Sequence, residues 1–376
     1  MKPSLLHHLV CPVCAGPLSA EPFATQDNEI RQGILTCSGC RVYYPIYAFV
    51  PVLLIFPTPF HAEFARRHAG SLARVGLTPP SRRPEPGEDA VQEAFTDEWN
   101  AVQESELFRV HQAERFRKLN QQVWLKWLHA ADAPRFVLDV GCGLGHEPVS
   151  LQDVIGGTEV FAVDLNFAIV RARDEVKLRS KMHFVVASLF HLPFRKEAFD
   201  LVYSQGVLHH TYSTREAFRT LAGHVMPGGH YFVWLYALDD PDSAHQGTLD
   251  NLRLRAMRPI ETVLRPVVSR TPRPVRDAFF AAAALALQPV ARWRQHASWA
   301  TRDTEHALRD WLAPRFAHRH TYNEVAEWFE GEGFEVIDLQ SPAAYRRLFA
   351  RPIGGVGMTG RKPTDPGLCG ATAERP

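Results

Sequence analysis

The stretch that decides the fold is Phe136-Val137-Leu138-Asp139-Val140-Gly141-Cys142-Gly143-Leu144-Gly145-His146-Glu147. Mostly apolar, strand-forming residues end in an acid, and three glycines follow at alternate positions. A buried parallel strand that runs into glycines lets the backbone turn tightly and lets a ligand sit against it. Dinucleotide-binding folds use a related Gly-x-Gly-x-x-Gly turn to bring pyrophosphate to a helix N-terminus. Here the third glycine comes one residue early, and Asp139 stands two places before the first. A carboxylate there repels pyrophosphate but can attract an ammonium group.

Working outward, a second strand, Glu159 to Val163, ends at Asp164, where an acid suits a ribose diol. A third, His183 to Val186, leads into Ala187-Ser188-Leu189-Phe190-His191-Leu192-Pro193-Phe194. A fourth, Asp200 to Ser204, leads into Gln205-Gly206-Val207-Leu208-His209-His210, and Met226-Pro227-Gly228-Gly229 reads as a turn before a fifth, His230 to Trp234. In order and spacing these five segments resemble the class I S-adenosylmethionine-dependent methyltransferases. The resemblance implies a doubly wound, seven-stranded Rossmann-like α/β domain. It also implies a cofactor site formed by Asp139, Gly141, Gly143, Gly145, Asp164, Leu165, Ser188, Leu189, Gln205 and, from a lid helix, Trp99. One position departs from the family: Ser188 stands where an Asp usually contacts the adenine amino nitrogen. Its hydroxyl, or the backbone of Leu189, is expected to take that contact.

Cys11-Pro12-Val13-Cys14 and Cys37-Ser38-Gly39-Cys40 are two Cys-x-x-Cys turns. Four thiolates at that spacing can close a tetrahedral Zn²⁺ site with no position left for water, so the metal's role would be structural. A module of about sixty residues needs such a staple. A redox pair is the other reading, but it would not need a second copy. Residues 1 to about 56 resemble the small zinc-ribbon proteins that partner and activate tRNA, ribosomal RNA and translation-factor methyltransferases, which implies a docking module fused in cis. Lys2, Arg31 and Arg41 balance Glu21, Asp27 and Glu29 there, which argues against an RNA clamp.

From Gly70 to Ala90 the chain is rich in Pro, Gly and Arg and reads as linker. Phe95 and Trp99 then share one helical face. They either pack in the core or form a lid, the latter because similar methyltransferases carry an aromatic-Gln/Glu-Trp-Asn segment there. Helical Glu324 to Glu330 and strands Phe334 to Leu339 and Gly355 to Arg361 finish the fold. Between Leu238 and His320 lies an extra, mainly helical region with many arginines, whose run Phe279 to Leu287 reads as a buried helix, a channel wall or a membrane-contacting face. The arginines read as a solvated face or as a site for an anionic acceptor. Pro314 to Thr321, Gly206 to Thr211 and Val233 to Tyr236 resemble segments shared by a group of bacterial methyltransferases, most without an assigned acceptor.

Methyl transfer to a hydroxyl or amine releases a proton, and histidine is the natural base near neutral pH. His209 and His210 follow the fourth strand, where the methyl should lie, and His318 and His320 could reach in from the extra region. The chain's 376 residues suffice for two or three domains, 45% are apolar, and the formal charge is +1. No global field recruits nucleic acid, no run approaches the ~20 apolar residues of a membrane span, and no signal peptide is evident. A cytoplasmic location is expected.

The expected organisation is a zinc ribbon over 1–60, a linker over 61–90, a helical lid over 91–130 and a cofactor-binding core over 131–238. A helical cap over 239–320, the rest of the core over 321–362 and a tail over 363–376 complete it. The expected function is S-adenosylmethionine-dependent methylation of an oxygen or nitrogen of a small or lipid-linked metabolite, with the ribbon available to a partner protein. An RNA or translation-protein methyltransferase is the alternative, opposed by the near-zero charge and by the lack of an Asn/Asp-Pro-Pro-aromatic motif after the fourth strand. A non-catalytic scaffold is the third reading.

Overall fold

The computed structural model describes residues 1–101, 106–129, 132–175, 179, 181–238, 261–294, 301–349 and 355–364. The N-terminal region is a four-stranded antiparallel sheet of β1 (Ser19–Gln26), β2 (Glu29–Cys37), β3 (Val42–Tyr47) and β4 (Val50–Pro51), in that order. The expected linker differs from the structure in its first half. Pro59–Arg67 (α1) and Ala69–Val75 (α2) are helices, and their Phe64 and Leu72 pack on Ile34 and Tyr43 of the sheet. Four residues apart on one helical face, Phe60 and Phe64 meet the ribbon together, a pattern masked by the surrounding breakers.

The larger sheet contains β5 (Phe136–Val140), β6 (Glu159–Asp164), β7 (Met182–Val186), β8 (Phe199–Gln205), β9 (Val225–Tyr236), β10 (Glu335–Leu339) and β11 (Gly355–Arg361). Its order is β10-β11-β9-β8-β5-β6-β7, with β9 to β7 parallel and β11 and β10 antiparallel. This is the expected seven-stranded Rossmann-like sheet. Strands β5 to β7 are apolar on both faces because helices such as α5 (His146–Ile155) and α6 (Ile169–Glu175) cover them. The Met226–Gly229 turn proves to lie inside β9, where a register shift against β8 absorbs it.

The two sheets share one core. Edge strand β7 is closed by the chain just after β4, with Val52 bridging Val186 and the Leu53 amide donating to the Val186 carbonyl at 2.7 Å. A free parallel edge invites mispairing, and the N-terminal region removes it. Leu53 is fully buried among Leu35, Tyr44, Val163 and Val185, so Leu53→Ala would cost about 2–5 kcal/mol. Arg173 of α6 fastens the same seam, pairing with Glu29 at 2.9 Å and lying 4.0 Å over the Phe49 ring.

Ahead of β5, α3 (Glu88–Ala101) and α4 (Glu106–Leu119) occupy the expected helical region. The described part of the extra region is helical over 261–268, over Arg273–Arg294 (α8) and over Thr301–Leu312 (α9), with α7 (Thr214–Ala222) preceding them; residues 239–260 and 295–300 lie outside the described residues. The apolar run on α8 is buried on one line only. Phe280, Ala284 and Gln288, four apart, face inward, while Phe279 and Leu285 are exposed. The described arginines divide. Arg265 pairs with Glu261, Arg276 with Asp97, and Arg309 with Asp277 and Glu305, whereas Arg270 and Arg273 are exposed. No described helix is long and apolar enough to cross a membrane.

Candidate active site and metal centre

At the C-terminal ends of β5, β6 and β8 a cavity of about 350 Å³ opens, where open α/β sheets bind ligands. The glycine loop forms one wall. Gly141 has φ +88°, and a Cβ there would come within 2.0 Å of Val207. Gly143, at φ +51°, faces the Trp99 indole of α3, 3.4 Å from where its Cβ would be. Asp164 is fixed at the tip of β6. One carboxylate oxygen accepts from the Gly143 amide at 2.8 Å, and the other accepts from the Asn166 amide at 3.0 Å. Burial raises its pKa against these hydrogen bonds. The loop, Asp164, Leu165, Leu189, Gln205 and Trp99 are thus brought to one cavity.

Asp139, Gly145 and Ser188 are not part of that wall. Asp139 is buried, and burial, with the Glu147 and Asp164 charges adding, pushes its carboxyl well above the usual range. Its Oδ2 lacks a hydrogen-bond partner among the described residues. Ser188 Oγ accepts from the Phe190 amide at 3.1 Å and lies near enough to Glu88, a cavity residue that sequence reading missed, to favour its charged form.

The histidines separate. His209 is fully buried outside the cavity wall, stacked on Tyr236 with ring centroids 3.8 Å apart, and burial depresses its pKa strongly. His320 bridges Thr214 Oγ1 at 2.9 Å and Glu324 at 3.1 Å, also outside the wall. His318 pins the loop instead, its amide donating to the His209 carbonyl at 2.9 Å. Pro314 to Thr321 therefore clamps Gly206 to Thr211, which gives a physical reason for the two segments to occur together.

His210 lines the cavity. Its Nδ1 lies 2.8 Å from the Phe316 carbonyl, which can only accept, so Nδ1 carries the proton and Nε2 the lone pair. Nε2 is buried with no partner among the described residues. Burial lowers the His210 pKa below 6.5, and the charge of Asp310, also in the cavity wall, opposes that shift. Phe95, Trp99, Tyr212, Trp234, Tyr236 and Phe316 make the surrounding wall aromatic. Gln112 Oε1, Arg115 Nε and Trp234 Nε1 are further buried polar atoms of this wall without a partner among the described residues, as expected of a site built for a polar ligand. His306 and Asp310, four apart on α9, are another pair that the sequence reading did not single out, although their i, i+4 spacing marks one helical face.

The four cysteines converge, every sulfur within 4.8 Å of the others. Cys11 to Cys40 measures 4.0 Å and Cys14 to Cys37 3.6 Å. A tetrahedral Zn²⁺ with bonds of about 2.3 Å has sulfur–sulfur edges of about 3.8 Å, so the cluster fits that ion. Tyr44 Oη, 3.2 Å from Cys11 Sγ, can donate to a thiolate there.

Residues 138–233 match the family described as methyltransferase domain, and residues 2–47 match the family of Trm112p-like proteins. The chain thus carries a methyltransferase domain behind a Trm112-like domain. Similar curated proteins include malonyl-[acyl-carrier protein] O-methyltransferase of Legionella pneumophila, 37% identical over 24% of this chain and 32% of the relative. Another is tRNA U34 carboxymethyltransferase of Idiomarina loihiensis, 32% identical over 25% of this chain and 31% of the relative. The chain spans about a third of the length of these relatives. Among solved structures, a complex between the Haloferax volcanii Trm112 methyltransferase activator and a candidate methyltransferase aligns at 16% identity and TM-score 0.37, covering 72% of this chain and 97% of that one.

Proposed function

We propose that the chain is an S-adenosylmethionine-dependent methyltransferase acting on an oxygen or nitrogen of a small or lipid-linked metabolite, with a structural zinc in its N-terminal ribbon. The observation that carries the reading is one cavity holding the glycine loop and Asp164 together with the unpaired Nε2 of His210. Backbone at Gly141 and Gly143, the Asp164 carboxylate, the apolar flanks Leu165 and Leu189, and Gln205 and Trp99 would hold the cofactor. S-adenosylmethionine supplies, when bound, a methyl group on a sulfonium, already a good leaving group.

The chain's own work is alignment and proton removal. Aromatic walls exclude water and orient the acceptor, an effect worth about 7–11 kcal/mol in favourable cases. His210 Nε2 takes the proton that the acceptor O–H or N–H gives up as its lone pair attacks. The lowered pKa keeps that nitrogen unprotonated at neutral pH, and Asp310 stabilises the imidazolium formed. The Legionella relative's name describes transfer to an oxygen on a carrier-linked group, which supports this acceptor class. The RNA or translation-protein alternative draws support from the Trm112-like match and the tRNA-acting relative.

Transfer of labelled methyl from S-adenosylmethionine into an extract of source cells lacking the protein, separated into RNA, protein and small-molecule fractions, tests the reading. Label in the small-molecule or lipid fraction is expected. Label confined to RNA or protein would replace it with the alternative.

A further inference from the structure

Glu88 is a buried carboxylate, 6% exposed, in a wall that is otherwise largely apolar where it stands. It lies in the first turn of α3, beside the end of β7. Its Oε2 accepts from the Glu85 amide at 3.0 Å, and the nearby Ser188 side chain favours its charged form. The end of β7 is fixed next to Asp164, because the Ala187 amide donates to the Asp164 carbonyl at 3.0 Å. Leu165, Leu189, Phe190, Val91 and Pro86 line the same cavity and give it an apolar slot. A carboxylate offers about four acceptor sites, so the Glu85 amide leaves Glu88 with acceptor capacity toward that slot. Burial raises its pKa, and the neighbouring Ser188 side chain and Glu85 amide oppose the shift.

A polar group kept in an apolar slot calls for a donor on the ligand. If Asp164 holds a ribose, the ring attached to that sugar enters this slot, and an exocyclic amino group on its edge supplies the donor. We propose that Glu88 is the residue that recognises the adenine amino group, so that base specificity comes from helix α3 rather than from the β7 loop. The inference rests on the cofactor reading above.

Calorimetry compares S-adenosylhomocysteine with its inosine counterpart, in which an oxo group replaces the exocyclic amine, on the full chain and on Glu88→Gln and Glu88→Ala. The unaltered chain should prefer the adenine ligand by on the order of tenfold or more. Glu88→Ala should flatten the ratio, and Glu88→Gln, whose amide can donate to an oxo group, should move it toward inosine. A ratio cancels any general loss of folded protein, and Glu88→Gln keeps an oxygen for the Glu85 amide if the alanine variant folds poorly. Unchanged discrimination in both variants would overturn the role of Glu88 alone. Failure of the unaltered chain to bind either ligand would overturn the cofactor reading and the inference with it.

Discussion

In the N-terminal ribbon, four side chains from two short turns form the whole centre, and each is placed by its own turn. The cavity draws instead on the ends of five strands, β5 to β9, on α3 and α4 ahead of the sheet, on the start of α5 and on α9 of the extra region, far apart in the chain. Spacing within a turn is a local property, so the cysteine cluster could be read from residue intervals. A wall assembled from so many elements depends on how those elements pack. The ribbon's centre should therefore respond to substitution all or none, and the cavity piece by piece.

Metal loss should produce the largest effect. A structural zinc contributes about 10–16 kcal/mol in small zinc peptides, comparable with the whole stability of a domain, about 5–15 kcal/mol. Cys37→Ser should release the metal, seen as zinc content per chain falling from one toward zero. Amide protection in β1 to β3 should vanish, while β5 and β6 keep theirs until the shared seam at Leu53 opens. Next, His210→Ala should lower labelled methyl transfer by about 10²–10⁴-fold and leave S-adenosylhomocysteine affinity nearly unchanged; equal turnover would remove His210 as base.

A smaller loss, about 1–3 kcal/mol, is expected in cofactor affinity for Gly141→Ala, whose Cβ would meet Val207 at 2.0 Å with φ at +88°. Gly157→Ala, at φ +66° with nothing within 4 Å, supplies the control that isolates backbone strain from the clash. The mildest change is a pH effect. Activity should fall on the acid side as His210 gains a proton, with the limb below pH 6.5 because burial depresses that group. Asp310 works against the depression, so Asp310→Asn should move the limb to still lower pH in a rate profile.

Strands β5 to β8 were legible because apolar runs ending in acids and glycines specify both strand and turn. Asp164, Leu189 and Gln205 follow those strands, and Trp99 was suggested by the resemblance; the structure places all four in one cavity wall. His210 was one of four candidate histidines with His209, His318 and His320, and only packing shows that His209 stacks on Tyr236 and that His320 bridges Thr214 and Glu324. Glu88 was hidden in a stretch rich in prolines and charges, and its significance depends on a cavity whose other walls come from strands far along the chain. The helices at Pro59–Arg67 and Ala69–Val75 were obscured likewise, since Phe64 and Leu72 find their partners on the ribbon and not in their own segment.

Equilibrium binding of S-adenosylhomocysteine to the full chain and to Asp164→Ala, followed by calorimetry, tests the central claim most directly. The account predicts saturable one-to-one binding that the variant weakens by about tenfold or more, the loss of hydrogen bonds to a charged acceptor. Absence of binding, or equal affinity in the two proteins, would contradict the assignment of this cavity to the cofactor.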